Sequence, residues 1–302
     1  MRCACIDIGS NTTRLLVAEP GTGGAVLRDV AADRAFTRLG AGRAADGSLG
    51  PERIAAVAEV VAAQVAQARQ AGAGVGALRA VATAAVRSAP NRAALCAAVE
   101  ARAGVAVEVI DAEEEARLAF AGATGTLAGL RPRPAERLGV VDVGGGSTEL
   151  VCGTLAEGVG WSRSFAIGSG TLTERHVTGA CPTREELAAL REEVKRTFAG
   201  LDAPTPRGAY AVGGSATSLG RLTGGELHPA SLARALGALC AGPADAVARA
   251  LGLHPDRVRM LPAGIVVLDE AARALGVPLR IAAGGLREGV ILAMWAQARR
   301  VS

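Results

Sequence analysis

The sequence predicts an α/β protein made of two similar halves. Apolar runs typical of strands alternate with longer segments typical of helices, which is the pattern of layered α/β domains. In addition, IDIGSNTTRLLV (6–17) aligns without gaps on VDVGGGSTELV (141–151), almost half of the 302-residue chain further on. Asp7 then matches Asp142, and the glycine and hydroxyl positions that follow stay in register. An internal duplication is the simplest explanation.

The elements of the first half can be assigned in order along the chain. The expected elements are a helix over 51–71, a strand over 77–85, a helix over 90–103, a strand over 105–110 and a helix that Asp111 opens. Gly72 and Gly104 follow the first two helices, at the position where glycine commonly ends a helix. Asp111 and Glu114 have the spacing of a capping box, in which side chains bind free amides at the helix start.

A Pro- and Arg-rich segment, GLRPRPAERLG (129–139), interrupts this alternation just before the second hairpin. We therefore predict a first domain of residues 1–128 and a second domain of residues 129–302. The expected elements of the second domain are a strand over 161–167, a helix from Thr183, a strand from 209 that becomes a helix at Gly213–Gly214, helices within 229–275, and a strand over 279–285 that leads into a last helix.

Composition and charge argue against several classes of protein. Half of the residues are hydrophobic and 21% are charged, as in ordinary globular domains. No stretch approaches the roughly 20 apolar residues of a membrane helix, and no signal peptide is recognisable, so we expect a cytoplasmic protein without a membrane partner. The net charge of +4 suits a polyanionic substrate. Nucleic acid is not an expected partner, because aromatic residues make up 2% and no basic run is dense.

The cysteines and histidines predict neither a disulfide nor a metal centre. The six cysteines include no CxxC and no paired Cys/His spacing, so we expect small buried residues rather than disulfide or zinc partners. The three histidines are isolated from one another in the sequence. A Ser-His-Asp triad or a histidine-rich metal site therefore finds little support.

Two glycine turns are the strongest candidates for a binding function. Backbone amides around glycine in a tight turn can hold an anion, and the missing side chains allow close approach. The alternative is that both turns only connect strands, but two copies that each follow an acid favour phosphate binding. The candidate phosphate-binding residues are Gly9, Ser10, Asn11, Thr12, Gly144, Gly145, Gly146, Ser147 and Thr148, with Gly214 and Ser215 from a third glycine pair.

The acids beside these turns would repel phosphate, so they need a cation between them and the substrate. Asp142 and Glu149 flank the second turn and are expected to hold Mg²⁺, or alternatively Mn²⁺, through their oxygens or bound water. Asp7 could do the same from the first half of the chain. The alternative for Glu149 is an exposed strand residue.

Three consecutive glutamates occur in DAEEEARLAF (111–120). Consecutive helical residues point in different directions, so they cannot share a task. We expect Glu114 to serve the helix cap and Glu113 to pair with Arg117 one turn later, which leaves Glu115 without a structural role. On spacing alone, a solvated Glu115 is favoured over a catalytic one.

Arg87 follows a predicted strand, at the position where open α/β sheets carry functional side chains. The alternative is a surface arginine, since arginine supplies nearly all of the 33 basic residues. Spacing alone leaves these two alternatives level.

Six motifs occur in an order that resembles one family. They are DIGSNTTRLL, ATAAVRSAPN, EEEARLAF, DVGGGSTEL, AVGGSATS and GGLREGVIL. Together they are similar to the exopolyphosphatase/guanosine pentaphosphate phosphohydrolase family, within the superfamily of actin, sugar kinases and Hsp70. The resemblance, over residues 3–293, implies two ribonuclease-H-like domains with an active site in the cleft between them. Longer members carry a C-terminal helical domain with a His-Asp motif, which this sequence lacks, so we expect a smaller polyphosphate-holding surface.

The resemblance also implies roles for individual residues. The family's catalytic glutamate matches Glu115, and its phosphate-contacting arginine matches Arg87. Its loop acid and metal-associated glutamate match Asp142 and Glu149. A homodimer is a further implication.

The expected activity is removal of the terminal phosphate of inorganic polyphosphate by a water that Glu115 deprotonates. Guanosine pentaphosphate is the alternative substrate. A kinase or ATPase of the same superfamily would need an adenosine pocket near AVGGSATS and AAGGLREG. A non-catalytic phosphate-chain sensor is a third alternative, although every proposed catalytic position is filled.

Overall fold

The structure is a computed structural model that describes residues 1–21, 26–127 and 132–301. It divides into two compact units. The first contains Met1–Arg131 together with Gly284–Ser302, and the second contains Pro132–Ala283. Each unit has its own sheet and its own apolar core. In the described parts of the chain, none of the helices is long and apolar enough to span a bilayer.

Strands and helices alternate along the chain. In order they are β1 (Cys3–Ile8), β2 (Thr13–Pro20), β3 (Leu27–Ala35), α1 (Pro51–Gln70), β4 (Leu78–Ala82), α2 (Ala84–Arg87), α3 (Arg92–Ala103), β5 (Val107–Val109), α4 (Ala112–Gly125), β6 (Leu138–Val143), β7 (Thr148–Thr154), β8 (Gly158–Phe165), α5 (Ser169–His176), α6 (Arg184–Phe198), β9 (Gly208–Val212), α7 (Gly213–Thr223), β10 (Glu226–Leu227), α8 (Pro229–Leu239), α9 (Ala244–Leu251), α10 (Pro255–Leu275), β11 (Leu279–Ile281) and α11 (Leu286–Val301).

The two sheets repeat one topology. The sheet of the first unit has the order β3-β2-β1-β4-β5, in which β1 is antiparallel to β2 and parallel to β4. The sheet of the second unit has the matching order β8-β7-β6-β9-β11, and the short β10 adds one edge. Again β6 is antiparallel to β7 and parallel to β9. The predicted α/β class and the predicted duplication are both confirmed.

Most predicted helices have the expected bounds. Thr183 caps α6 in a complete capping box with Glu186, and Gly104 ends α3 in the left-handed conformation. The strand predicted over 77–85 is shorter in the structure, because the last of these residues belong to the one-turn helix α2. Arg87 therefore lies on a helix that directly follows the strand. Strand β3 and helix α5 were not predicted.

The division into units differs from the predicted domains at the C-terminus. The predicted boundary between residues 128 and 129 lies outside the described residues. Helix α11, which we assigned to the second domain, belongs to the first unit, where it packs on α4. A Cβ at Gly122 would lie 1.9 Å from the carbonyl oxygen of Gly285, and one at Gly289 would lie 1.9 Å from that of Leu118. This close backbone contact, which sequence order does not reveal, explains the difference.

The expectation for the cysteines is wrong for one pair. Cys181 and Cys240 form a disulfide with their Cα atoms 5.5 Å apart. Cys181 lies just before α6 and Cys240 follows α8, so only the tertiary fold brings these two positions together. The remaining cysteines are free, and they are Cys3, Cys5 and Cys152, which are buried, and the half-buried Cys96.

The contact between α4 and α11 predicts a large effect of one added methyl group. Gly122→Ala places a Cβ in space that a backbone carbonyl occupies, so we expect a loss of about 1–3 kcal/mol in the free energy of unfolding. Gly237→Ala, inside α8, is the matched control, because no heavy atom lies within 4 Å of that Cβ position. The control should gain up to about 1 kcal/mol. Urea unfolding measures both, and a Gly122→Ala protein as stable as the control would contradict the close contact.

Candidate active site

The carboxyl ends of three parallel strands bring the candidate residues of the first unit together. In the pairing of β1, β4 and β5, Ile8 lies beside Ala82, which lies beside Val109. The first glycine turn follows β1, helix α2 with Arg87 follows β4, and helix α4 with Glu115 follows β5. Because these strands end at one edge of the sheet, the three segments that follow them form one site, as is usual in open α/β sheets.

Side-chain alternation along β1 decides which face each candidate occupies. Ile6 and Ile8 belong to the core that α1 and α3 form with the sheet, whereas Cys5 belongs to the core formed with α4 and α11. Asp7 has the same parity as Cys5, so its carboxylate lies on the α4 side of the sheet. The charge of Asp7 accordingly contributes to the raised pKa of Glu115 on α4.

Glu115 and Arg87 form a buried ion pair. Nη1 of Arg87 donates to Oε2 of Glu115 at 2.8 Å and to the carbonyl oxygen of Ile110 at 3.0 Å. The Glu115 side chain is 7% exposed and the Arg87 side chain 22%. The solvated Glu115 that spacing alone favours is therefore wrong, and so is the surface arginine at position 87.

The start of α4 explains why one of the three glutamates points inward. The Asp111 carboxylate accepts the amide of Glu114 at 2.8 Å, as the predicted cap requires. The Glu114 side chain binds Arg117 through two contacts of 2.7 Å instead of completing a capping box with Asp111. The predicted pairing of Arg117 with Glu113 and the predicted role of the Glu114 side chain in the cap are therefore both wrong. Glu115 is the next residue around the helix axis and faces the sheet.

The electrostatic setting of Glu115 suits a group that accepts a proton. Burial raises the pKa of Glu115 above its ordinary value, the hydrogen bond and charge of Arg87 oppose this effect, and the charge of Asp7 adds to it. A carboxylate with a raised pKa is a stronger base than an exposed one. The pairing with Arg87 favours the ionised form, which is the form that can take a proton.

Both predicted glycine turns close in the same way. The amide of Gly9 donates to the carbonyl of Thr12 at 3.0 Å, and the amide of Gly144 donates to that of Ser147 at 3.0 Å. The gap-free alignment matched these same residues, so the structural equivalence of the two turns is confirmed.

The first turn is held from one side by its carbonyl groups. The carbonyl of Ser10 accepts the amide of Gly40 at 2.7 Å, and that of Asn11 accepts the amide of Arg38 at 3.0 Å. In a trans peptide unit the N–H points opposite to the C=O. The amides of Asn11 and Thr12 therefore point away from residues 38–40, as an anion site requires.

The second turn has the same arrangement with a different support. The carbonyls of Gly144 and Gly145 accept amides of Ser169 and Gly170, at the start of α5, each at 2.9 Å. The amides of Gly145 and Gly146 consequently point away from α5. A helix that was not predicted from the sequence thus orients the second candidate phosphate loop.

The predicted phosphate-binding hydroxyls differ in their surroundings. Ser10 and Ser147 are 8% and 6% exposed. Thr148 is fully buried and donates its hydroxyl to the carbonyl of Ile167 at 2.7 Å. Ser215 is also fully buried. The structure therefore places Thr148 and Ser215 inside the second unit rather than at the surface of the turns.

Asp142 and Glu149 lie directly opposite each other on β6 and β7. Residues that are opposite in an antiparallel pair project to the same face. Glu149 is 1% exposed and accepts the hydroxyl of Ser164 at 2.8 Å, so it is not an exposed strand residue. In the first unit the residue opposite Asp7 is Arg14. The equivalent positions thus hold two acids in one unit and an acid with a base in the other.

This pair of acids fits a hard divalent cation. Mg²⁺ takes oxygen ligands and commonly uses one or two carboxylates, with phosphate oxygens and water as the rest. Asp142 and Glu149 offer such carboxylates. In the segments that the structure covers, no group of three or more His, Cys, Asp or Glu side chains is placed to hold a metal. Metal binding by Asp142, Glu149 and Asp7 stays a prediction.

Glycines also determine what surrounds Asp142. Gly213 has φ +84°, and a Cβ there would lie 2.3 Å from Oδ1 of Asp142. At Gly214 a Cβ would lie 2.7 Å from Nη2 of Arg257, which is 5% exposed and comes from α10. Arg257 was missed in the sequence because no spacing relates it to the glycine pair.

The GGLREGVIL motif contacts the first hairpin through Arg287. Arg287 donates to the carbonyl of Leu15 at 3.0 Å. Burial raises the pKa of Asp7, the charges of Arg14 and Arg287 oppose this effect, and the charge of Glu288 adds to it. Two residues of the motif, Arg287 and Glu288, therefore contribute to the electrostatic environment of Asp7.

Two sheets of matching order, each with an acid and a glycine turn on its first hairpin, define a two-domain, actin-like α/β protein with candidate phosphate-binding turns. The model of the Ppx/GppA phosphatase family matches residues 16–298. The chain belongs to this family. Its members generally depend on a divalent metal ion.

Individual relatives agree with this assignment. Exopolyphosphatase 2 of Mycobacterium tuberculosis is 33% identical over 91% of each chain. Exopolyphosphatase 1 of Mycobacterium bovis is 30% identical over 97% of this chain and 88% of its own. The crystal structure of the Aquifex aeolicus family member is 27% identical with a TM-score of 0.78, covering 99% of this chain and 98% of that chain. An exopolyphosphatase from Cytophaga hutchinsonii shares the fold, with a TM-score of 0.84 and 21% identity over 98% of each chain.

The ion pair predicts a pKa change in one direction. Arg87→Gln removes the positive charge that favours ionised Glu115, so the pKa of Glu115 should rise above that in the wild type. A ¹³C NMR titration of labelled glutamate carboxyls measures it, and Glu115→Gln identifies the signal. Arg102→Gln, which removes an exposed partner of Glu59, is the control and should leave the signal unchanged. An unchanged or lower pKa in Arg87→Gln would show that the pair does not act on Glu115.

Proposed function

We propose that this chain is an exopolyphosphatase, which hydrolyses the terminal anhydride bond of inorganic polyphosphate. The products are phosphate and a chain that is shorter by one unit. The observation that supports this most directly is the buried Glu115–Arg87 pair at the sheet edge where the first glycine turn begins. The family and the relatives named exopolyphosphatase support the same activity.

In the proposed reaction Glu115 accepts a proton from a water molecule. The water oxygen forms a bond to the terminal phosphorus, and the bond from that phosphorus to the bridging oxygen breaks. The bridging oxygen leaves with the electron pair as part of the shortened chain. A general base of this kind typically contributes about 10²–10⁴-fold in rate.

Positive groups and amides would stabilise the negative charge of the transferring phosphoryl group. Nη1 of Arg87 is engaged with Glu115 and Ile110. We assign the other N–H groups of the Arg87 guanidinium to the phosphate oxygens, together with the amides of the first glycine turn. In the second unit, Asp142 and Glu149 would hold a divalent ion, Mg²⁺ or Mn²⁺, and the ion would supply positive charge that favours phosphate binding.

Guanosine pentaphosphate remains the alternative substrate, because hydrolysis of its terminal phosphate is also an activity of this family. The same base and amides would serve either phosphate chain. The cytoplasmic location, the homodimer and the absence of a nucleic-acid or membrane partner remain predictions from the sequence that accompany this proposal.

Phosphate release by the wild-type protein tests the proposal. Polyphosphate and guanosine pentaphosphate are supplied side by side with Mg²⁺, with Mn²⁺ or with a chelator. We expect phosphate from polyphosphate with the metal ion and none with the chelator. Faster release from guanosine pentaphosphate would favour the alternative substrate. Release from neither would overturn the proposal, and ATP consumption that depends on polyphosphate would indicate a kinase.

A single amide substitution separates binding from turnover. Glu115→Gln keeps the size of the side chain but cannot accept the proton, so kcat should fall by about 10²–10⁴-fold while polyphosphate binding persists. Calorimetry with polyphosphate measures binding, and phosphate release measures kcat. Glu114→Gln is the matched control, because Glu114 lies one position earlier and binds Arg117 at the surface. Near-normal turnover in Glu115→Gln would assign the base elsewhere.

A further inference from the structure

The segment between β3 and α1, residues 38–49, contacts two separate parts of the first unit's site, and we call it the strap. Two leucines anchor its ends: Leu39 is 0% exposed and Leu49 is 2% exposed, and both belong to the core of α1 and α3. The part between them lies on the surface of the unit. Its polar contacts therefore decide what the strap does.

The start of the strap holds the first glycine turn. The amides of Arg38 and Gly40 bind the carbonyls of Asn11 and Ser10, as described above. Arg38 has φ +46°, and among the described residues it is the one non-glycine with positive φ. Such a conformation is unfavourable for a residue with a side chain and persists only where surrounding contacts impose it. The backbone is thus strained at the point where the strap meets the turn.

The middle of the strap holds α2 through Arg43. Nη1 of Arg43 donates to the hydroxyl of Ser88 at 3.0 Å and to the carbonyl of Gly47 at 3.4 Å, and Nη2 donates to the carbonyl of Ala85. Ala85 is inside α2 and Ser88 follows it directly, so both acceptors flank Arg87.

Arg43 donates to neutral hydroxyl and carbonyl oxygens. Burial lowers the pKa of its guanidinium. An arginine that is half-buried on carbonyl and hydroxyl oxygens gains little as an ion pair but can fix the backbone that it binds. Helix α2 has only four residues, and a helix of one turn has little stability of its own. Its orientation therefore depends on contacts from outside.

The end of the strap is joined to the connection that follows α2. The amide of Leu49 donates to Oδ1 of Asn91, and Nδ2 of Asn91 donates to the carbonyl of Leu49, both at 2.9 Å. Asn91 immediately precedes α3. The segment from α2 to α3 is thus bound to the strap at two places, at Arg43 and at Leu49.

We propose that Arg43 is a positioning residue for the reaction: it fixes α2, and so orients Arg87 against Glu115, in a strap that also holds the first glycine turn. This inference rests on the proposed roles of Glu115 and Arg87. It assigns a function in catalysis to a residue that does not touch Glu115.

If α2 is held less firmly, the pKa of Glu115 changes, which a general loss of stability would not cause. When the hydrogen bond from Arg87 weakens, the pKa of Glu115 rises, because that bond lowers it. Glu115 acts as a base only when it is ionised, so the acid limb of the profile of kcat against pH moves to higher pH. Substrate binding by the amides changes much less.

The test compares Arg43→Gln, Arg43→Lys and Ser88→Ala with wild type. With polyphosphate, we expect Arg43→Gln to lower kcat roughly ten- to a hundredfold, to leave KM within about twofold and to move the acid limb upward. Arg43→Lys should recover part of kcat, and Ser88→Ala should move the limb in the same direction by a smaller amount. Arg102→Gln is the control with no expected effect.

Two further results separate this inference from the proposed function. In an Arg87→Gln background, Arg43→Gln should move the acid limb no further, and additive shifts would overturn the inference. A raised KM at unchanged kcat would assign Arg43 to the phosphate chain and would also overturn it.

The carboxyl titration of Glu115 needs no turnover, so it tests the inference even if polyphosphate is not the substrate. A pKa of Glu115 in Arg43→Gln that equals the wild-type value overturns the inference while leaving the proposed function intact. If Arg43→Gln does not fold, Ser88→Ala gives the same readout.

Discussion

The site depends on a carboxylate that is kept charged inside the protein. Burying Glu115 penalises its ionised form, and Arg87 offsets that penalty only while its guanidinium stays within hydrogen-bond distance. The two residues lie on different helices, so α2 and α4 must both be fixed. The Asp111 cap fixes the start of α4, and the strap and the Ile110 carbonyl fix Arg87. Much of the local structure around the sheet edge can be understood as maintaining this one contact.

The two halves of the chain show how a duplicated hairpin can divide its tasks. Both keep an acid, a glycine turn and the same closing hydrogen bond. Opposite the acid, one unit has Arg14 and the other has Glu149. The charge of Arg14 opposes the rise in the pKa of the buried Asp7, whereas Glu149 gives Asp142 a second carboxylate of the kind that a divalent cation prefers. The two hairpins thus differ in the charge of the residue opposite the acid. A base stands there in the first unit, and an acid in the second unit makes the pair a candidate metal site.

The features that the sequence predicted correctly depend on contacts between residues that are close together in the chain. The helix caps at Asp111 and Thr183 and the register of the two turns follow from short-range hydrogen bonding, which a sequence displays directly. The disulfide, the placement of α11 and the contact of Arg257 with Gly214 depend on tertiary packing, for which spacing gives no signal. Glu115 shows the limit most clearly. Its spacing favoured solvent, and only the sheet beneath α4 explains its burial.

The two glycine turns also differ in the part of the chain that supports them, since a helix binds the second turn and a loop binds the first. Helix α5 holds the second turn with amides of a regular element, which leaves little freedom beside the Asp142–Glu149 pair. A loop with a strained residue holds the first turn, and the same loop binds α2. The first turn and Arg87 thus share one support, because the strap binds both the turn and α2. If amides bind phosphate and Glu115 takes the proton, one segment of the chain therefore supports both the binding loop and the partner of the base.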